Sequence, residues 1–306
     1  MLRYQVGYPI PIEVLDFIMD AVRGRYLSIC ASKVYTQFSP DELRELNDGC
    51  KSYMQLKDPS LGQAQYFSLM EMLFYLAIYL CRDVEAQVLY NTFRDKLGED
   101  SPRLYGMKST LLQVNESDSA AVEFIEKLIK ERLEVDTDSV SYPLLQKRLI
   151  AIQSKNHDKE WVVRQLLNLS EKFPIDPEIW WFAAQNYFEM GQFERAAFCL
   201  EEVIQLTPFN YVAFARLAEV LYYKSLRVDK SAAKTKFTLQ NALNNALRSV
   251  ELSEKYLKGW SLVALTSSKL DGKEKILQLA KCKLQAIAND SNPQNRVTAE
   301  LILKSI

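Results

Sequence analysis

The chain has 306 residues, 48% of them hydrophobic and 25% charged, a globular balance in a length that can bury a sizeable core. Its 38 Lys and Arg against 39 Asp and Glu leave a formal net charge of −1, which excludes the overall positive field that phosphate backbones select. Only nine glycines occur, and apolar residues recur three and four apart through stretches rich in Leu, Ala, Glu, Lys and Gln, so the expected class is all-α.

In chain order, the opening MLRYQVGYPIPIEVLDFIMDAV sets prolines and acids where an export signal needs an unbroken apolar stretch, and no export signal is expected. A helical cap is expected over about 12–56. Next comes MLFYLAIYLC, residues 72–81, the longest uncharged apolar run, closed in by Glu71 and Arg82. A membrane span needs about 20 such residues, so this run reads as a helix buried on most sides. Cys30, Cys50, Cys81, Cys199 and Cys282 are odd in number and never spaced C-x-x-C. That speaks against a disulfide framework or a zinc knuckle and for a reducing compartment.

From residue 65 to about 289 the chain repeats. The first unit covers 65–97 and the second opens at Ser101; Ala86 and Ala120 lie 34 residues apart, each followed four residues on by a ring, Tyr90 and Phe124. Small and bulky residues therefore stack on one helix face. A third unit reaches Pro174 and exceeds the period by about eight residues, the excess falling in ERLEVDTDSVSYP. Pro174 and Pro208 restore the 34-residue spacing, and between them lie Trp180, Ala183, Ala184, Tyr187, Gly191, Ala196 and Leu200. In that pattern Ala184 and Ala196 let paired helices approach, Trp180, Tyr187 and Leu200 fill the space between them, and Pro208 ends the second helix. The unit opening at Phe214 resumes at Ala242 only after an insertion of about 12 residues in KSLRVDKSAAKTKF; a last unit starts at Trp260, and a capping helix is expected at about 293–305.

The set from Trp180 to Pro208 resembles the tetratricopeptide repeat, a 34-residue helical hairpin. The expected architecture is then a single α-solenoid over 1–306, with about five to six such hairpins between N- and C-terminal helical caps and the first helix of each pair lining a concave surface. The inward positions beside the packing residues are Tyr75, Tyr79, Tyr105, Trp181, Gln185, Phe188, Tyr222 and Tyr223. Either these form a groove for an apolar or extended peptide segment, or tight curvature hides the rings inside the stack. The basic insertion at about 224–237 holds Lys224, Arg227, Lys230, Lys234 and Lys236 against Asp229. It reads as an exposed loop, or as a contact for lipid headgroups or an acidic partner.

Reaction chemistry has little to build on. The single histidine, His157, lies in the polar stretch QSKNHDKEW and reads as a loop residue near a helix start; one histidine removes most nucleophile–histidine and multi-histidine metal arrangements. The glycines never fall in G-x-G-x-x-G or G-x-x-x-x-G-K spacing, and neighbours such as Glu201 and Glu202 have the spacing of solvated faces. No catalysis, metal or cofactor is expected.

Several stretches resemble one family beyond the generic repeat: KVYTQFSPDEL (33–43), YFSLMEMLFYLAIYLCRDVEAQVLYNTFRDKLGE (66–99), FPIDPEIWWFA with YFEMGQFERAAFCLEEV (173–203), TPFNY (207–211), NALRSVELSEKYLKGW (245–260) and TAELILKSI (298–306). They are similar to subunit two of the endoplasmic reticulum membrane protein complex in its fungal form, and they include loops and unit junctions that repeat packing does not dictate. The first 20 or so residues, RYQVGYPIPIEV included, look unlike that family. The resemblance implies a non-catalytic subunit without a membrane span of its own, peripheral on the cytoplasmic side of the endoplasmic reticulum membrane. It also implies a complex that inserts tail-anchored and multi-spanning proteins without energy input, and cytosolic segments of the third and fifth subunits as partners. The alternative is a soluble chaperone adaptor or another interaction scaffold. An adaptor of that kind grips acidic C-terminal tails through lysine and asparagine, whereas the corresponding inward places here carry Trp181, Gln185, Ala215 and Glu219.

Overall fold

The computed structural model describes residues 12–133, 140–227, 232–290 and 293–306, and every regular element among them is a helix. The first 11 residues, most of the unfamiliar N-terminal stretch, and part of the long junction ERLEVDTDSVSYP lie outside the described residues. The chain divides into two compact units, Met1–Leu145 and Gln146–Ile306.

The first unit comprises α1 (Ile12–Ser32), a 3-10 turn (Val34–Gln37), α2 (Pro40–Gln55), α3 (Gln63–Tyr79), α4 (Asp83–Leu97), α5 (Pro102–Asn115) and α6 (Asp118–Leu128), which runs into a π-helical turn at Ile129–Leu133. Ser39 starts α2 through a reciprocal cap with Glu42, and Pro40 pre-sets the first turn. The apolar run 72–81 lies mostly on α3, and its lack of charge follows from burial on two faces. Leu69, Met72 and Leu76 pack with Leu46, Cys50 and Tyr53 of α2, while Phe67, Met70 and Phe74 pack with Phe93 of α4 and Met107 of α5. Each such side chain, once fully buried, contributes roughly 1.5–3 kcal/mol. Among the described residues no helix is long and apolar enough to cross a membrane.

Helix α1 is fastened to this unit at its middle. Tyr26 lies 5.6 Å from Tyr53, and its hydroxyl occupies the space that a side chain at Gly49 of α2 would take. Arg23 Nη1 donates to Asp58 Oδ2 at 2.9 Å, and Tyr53 donates to the same oxygen at 2.7 Å. Those bonds, with Tyr53 the largest influence, hold the Asp58 carboxyl below its ordinary value.

Helix α7 (Ser141–Gln153) carries the boundary between the units. The second unit continues with α8 (Lys159–Lys172), α9 (Pro177–Glu189), α10 (Phe193–Leu206), α11 (Tyr211–Arg227), α12 (Ala232–Leu252), α13 (Leu257–Ser267), α14 (Glu274–Asp290) and α15 (Pro293–Ser305). Asp158 and Asp176 cap α8 and α9, and Lys147 Nζ holds Asp176 at 2.8 Å. Its core centres on Leu243, Ala246, Trp260, Val263, Ala280 and Leu284, all buried.

Two features differ from the sequence reading. Trp180, expected to fill the interior, is half-buried and meets the exposed Phe198 edge-on at 6.2 Å. Its indole N–H donates to Pro174 O at 2.8 Å, and Trp260 repeats the device by donating to Glu254 O at 2.7 Å, so each tryptophan ties its helix to the turn six residues upstream. The basic insertion, read as a loop, is largely helical: α11 runs through Arg227 and α12 resumes at Ala232. The extra residues lengthen both helices, where their backbone groups find intrahelical partners.

Candidate functional site

In the first unit the inward rings are largely covered by the chain itself. Tyr75 lines a cleft of about 480 Å3 with Leu27 and Cys30 of α1, Tyr35 of the 3-10 turn, and Glu71 and Met72 of its own helix. Tyr35 is buried, with its ring 6.3 Å from that of Tyr79, which stays half exposed. The Cys30 thiol donates to Ser68 O at 3.2 Å, and burial first, then the nearby Glu71, pushes its pKa up, which keeps it a protonated structural group. Tyr105 is corrected from a groove position to a packing one: it is 8% exposed, and its hydroxyl lies 3.5 Å from Asp100 Oδ1. Its ring fills the interior because α5 turns that face onto the stack.

The second unit presents a different surface. A cleft of about 260 Å3 has Trp181 and Gln185 of α9 on one wall, Ala184 and Leu200 at its base, Val212 and Arg216 of α11 opposite, and Lys258 of α13 at its end. Gln185 is exposed, and its amide donates to Glu189 Oε1 at 3.3 Å. Beyond the cleft Phe188 stands 5.5 Å from Tyr223 and 5.6 Å from Phe193, and Tyr223 lies 5.9 Å from Tyr222. Tyr222 packs against the core of the unit, while Tyr223 is 43% exposed.

The charges here are ordered. The Arg216 guanidinium lies 4.2 Å over the face of Phe188, and its Nη1 pairs with Glu219 Oε2. Lys258 Nζ donates to that same oxygen at 2.7 Å. Two cations thus share one carboxylate. Glu189, held ionised by Lys159 first and then by Gln185 and the charge of Arg216, borders the same group.

The basic segment is only partly free. Arg227 lies 4.9 Å over Phe193 and fills the space beside Gly191, while Lys224 reaches Glu194 at 3.5 Å. Both are therefore turned onto the α9–α10 hairpin, because a guanidinium gains more over a ring and an ammonium more beside a carboxylate than either does unpaired. Lys236 pairs with Asp271 at 3.4 Å, Lys234 is exposed, and Lys230 lies outside the described residues. His157 stacks on Trp161 at 4.0 Å just before α8. Among the described residues no group of three His, Cys, Asp or Glu is placed to hold a metal ion.

Arg216 and Lys258 were missed at the sequence level. Counting 34 residues on from Trp181 gives Ala215, which is buried in the core; the next residue, Arg216, turns to the cleft. The available signal was Glu219, three residues further along the same helix face.

Stacked helical hairpins with a tryptophan-walled cleft define a tetratricopeptide-repeat solenoid. Solved structures agree on the fold. The C-terminal part of a repeat-containing protein from Cytophaga hutchinsonii matches 85% of this chain and 97% of its own at TM-score 0.51 and 12% identity. A signal-transduction ATPase with a tetratricopeptide repeat sensor from Pyrococcus horikoshii matches 95% of this chain and 44% of its own at TM-score 0.54 and 13% identity. No protein-family model matches the chain. Among curated relatives, ER membrane protein complex subunit 2 of Saccharomyces cerevisiae is 50% identical over 294 residues, 94% of this chain and 100% of its own length. The TPR repeat protein oca3 of Schizosaccharomyces pombe is 26% identical over 83% of this chain and 82% of its own. The chain belongs to the ER membrane protein complex subunit 2 family.

Proposed function

We propose that this chain is a non-catalytic scaffold subunit of an endoplasmic reticulum membrane protein complex, attached peripherally on the cytoplasmic side. In this reading it holds cytosolic segments of the membrane-spanning subunits, the third and fifth among them, and so supports energy-independent insertion of tail-anchored and multi-spanning proteins. The observation that carries the reading is 50% identity over 294 residues, along the full length of the yeast subunit. The second-unit surface fits the role: preformed rings at Trp181, Phe188, Tyr222 and Tyr223 hold an extended segment at little ordering cost to the host. Tyr75 and Tyr79 of the first unit lie against the chain's own N-terminal helix and turn, and offer a smaller surface of their own.

The test is co-purification. A tagged chain drawn from detergent-solubilised endoplasmic reticulum membranes brings membrane-spanning subunits with it in fixed ratio. Recovery of the chain alone from freshly solubilised membranes contradicts the reading.

A further inference from the structure

We propose that the cleft between Trp181 and Lys258 is a receptor for the side-chain carboxylate of an Asp or Glu in a partner segment, seated beside an apolar neighbour. This rests on the scaffold reading above and names the chemistry of what docks.

The charge count comes first. Arg216 and Lys258 converge on one oxygen of Glu219, so one cationic charge is left over at the end of a cleft whose other walls are Trp181, Val212, Ala184 and Leu200. Gln185 and Glu189 do not offset it, because Glu189 is matched by Lys159. Burial is intermediate: the side chains of Arg216 and Glu219 are 20% and 18% exposed and that of Lys258 is 40% exposed, enough desolvation to strengthen an added ion pair and enough access to admit one.

Preorganisation comes second. The guanidinium is fixed by the face of Phe188 on one side and by Glu219 at Nη1, so a second carboxylate meets a cation whose rotamer entropy is already spent. About 260 Å3 accepts a side chain or two with their backbone, which suits an extended segment rather than a folded domain. The apolar lining decides which carboxylate. An acid within a chain has a neighbour on each side, one of which can cover Trp181 and Val212. A chain-terminal carboxylate has a neighbour on one side only and leaves more of that wall wet.

The experiment uses the signs of three substitutions in the tagged chain, purified with its bound subunits and washed through a rising salt series. Lys258→Gln and Arg216→Gln each remove an attracting charge and speed loss of the bound subunits by about tenfold at moderate salt. Glu219→Gln removes the internal competitor and slows that loss. If the trio served only the chain's own packing, Glu219→Gln would act in the same direction as the other two, and that outcome overturns the proposal. Equal retention in all three variants overturns it as well. Lys258, the most accessible of the three, makes its replacement the safest for folding. A photoreactive residue at Gln185 in intact membranes should attach to a peptide with an internal Asp or Glu; attachment to a chain terminus or to an acid-free segment contradicts the proposal while leaving the scaffold reading intact. Failure of the unaltered chain to retain any subunit would instead remove the scaffold reading.

Discussion

The two units apply the same helical hairpin to opposite ends. In the first, the tyrosines of α3 are met by α1 and the 3-10 turn, so the aromatic face is largely closed by the chain itself. In the second, the corresponding face of α9 carries Trp181 and Gln185 at an open cleft, with Arg216 and Lys258 across from them. Repeat register therefore decides where a ring points, and what is laid over it decides whether it can bind.

The largest contrast concerns the closing element. Tyr35→Ala, which empties a site only 5% exposed, should cost about 3–5 kcal/mol in chemical denaturation. Tyr223→Ala, at a ring 43% exposed, should cost less than about 1 kcal/mol. Equal losses would erase the distinction between a closed and an open face.

A smaller effect probes the open unit's own frame. Gly191 has φ +72°, and a Cβ there would collide with Arg227 Nη1, so Gly191→Ala combines left-handed strain with displacement of the guanidinium from Phe193. About 2 kcal/mol of lost stability is expected by thermal denaturation. Its counterpart in the closed unit is Gly49→Ala, where the Cβ would meet Tyr26 Oη at 2.6 Å. Because that hydroxyl can swing aside, about 1 kcal/mol is expected, with faster amide exchange in α1.

The smallest effect is an acid sensitivity of the α1 fastening. Asp58 is depressed in the folded chain, so its contribution is complete above the unfolded carboxylate value of about 4 and fades as pH falls through the folded one. The thermal midpoints of the unaltered chain and of Asp58→Asn should differ at pH 7 and draw together below about pH 4. A constant difference down to pH 2 would show that Arg23 and Tyr53 do not act through the charge of Asp58.

Much of the fold was legible because its physics is local. The 34-residue spacing, the Ala184 and Ala196 packing positions and the turn glycine at Gly191 each need only a hairpin to explain them. The surface was less legible because it depends on contacts between helices of unequal length. Tyr75 lines a cleft with α1, a helix outside the repeat pattern, and Tyr105 turned inward. Lys258 follows the long helices α11 and α12, where the period no longer counts reliably, and Arg227 found a ring one hairpin earlier. Trp181 and Gln185 were read from their neighbours on α9, and both line the cleft.

Photocrosslinking in intact endoplasmic reticulum membranes, read by mass spectrometry from a reactive residue placed at Trp181 and, separately, at Tyr75, bears most directly on the contrast. Attachment of Trp181 to a segment of another subunit, with Tyr75 attached to α1 of the same chain, is the predicted result. A partner subunit captured from Tyr75 and none from Trp181 would contradict it.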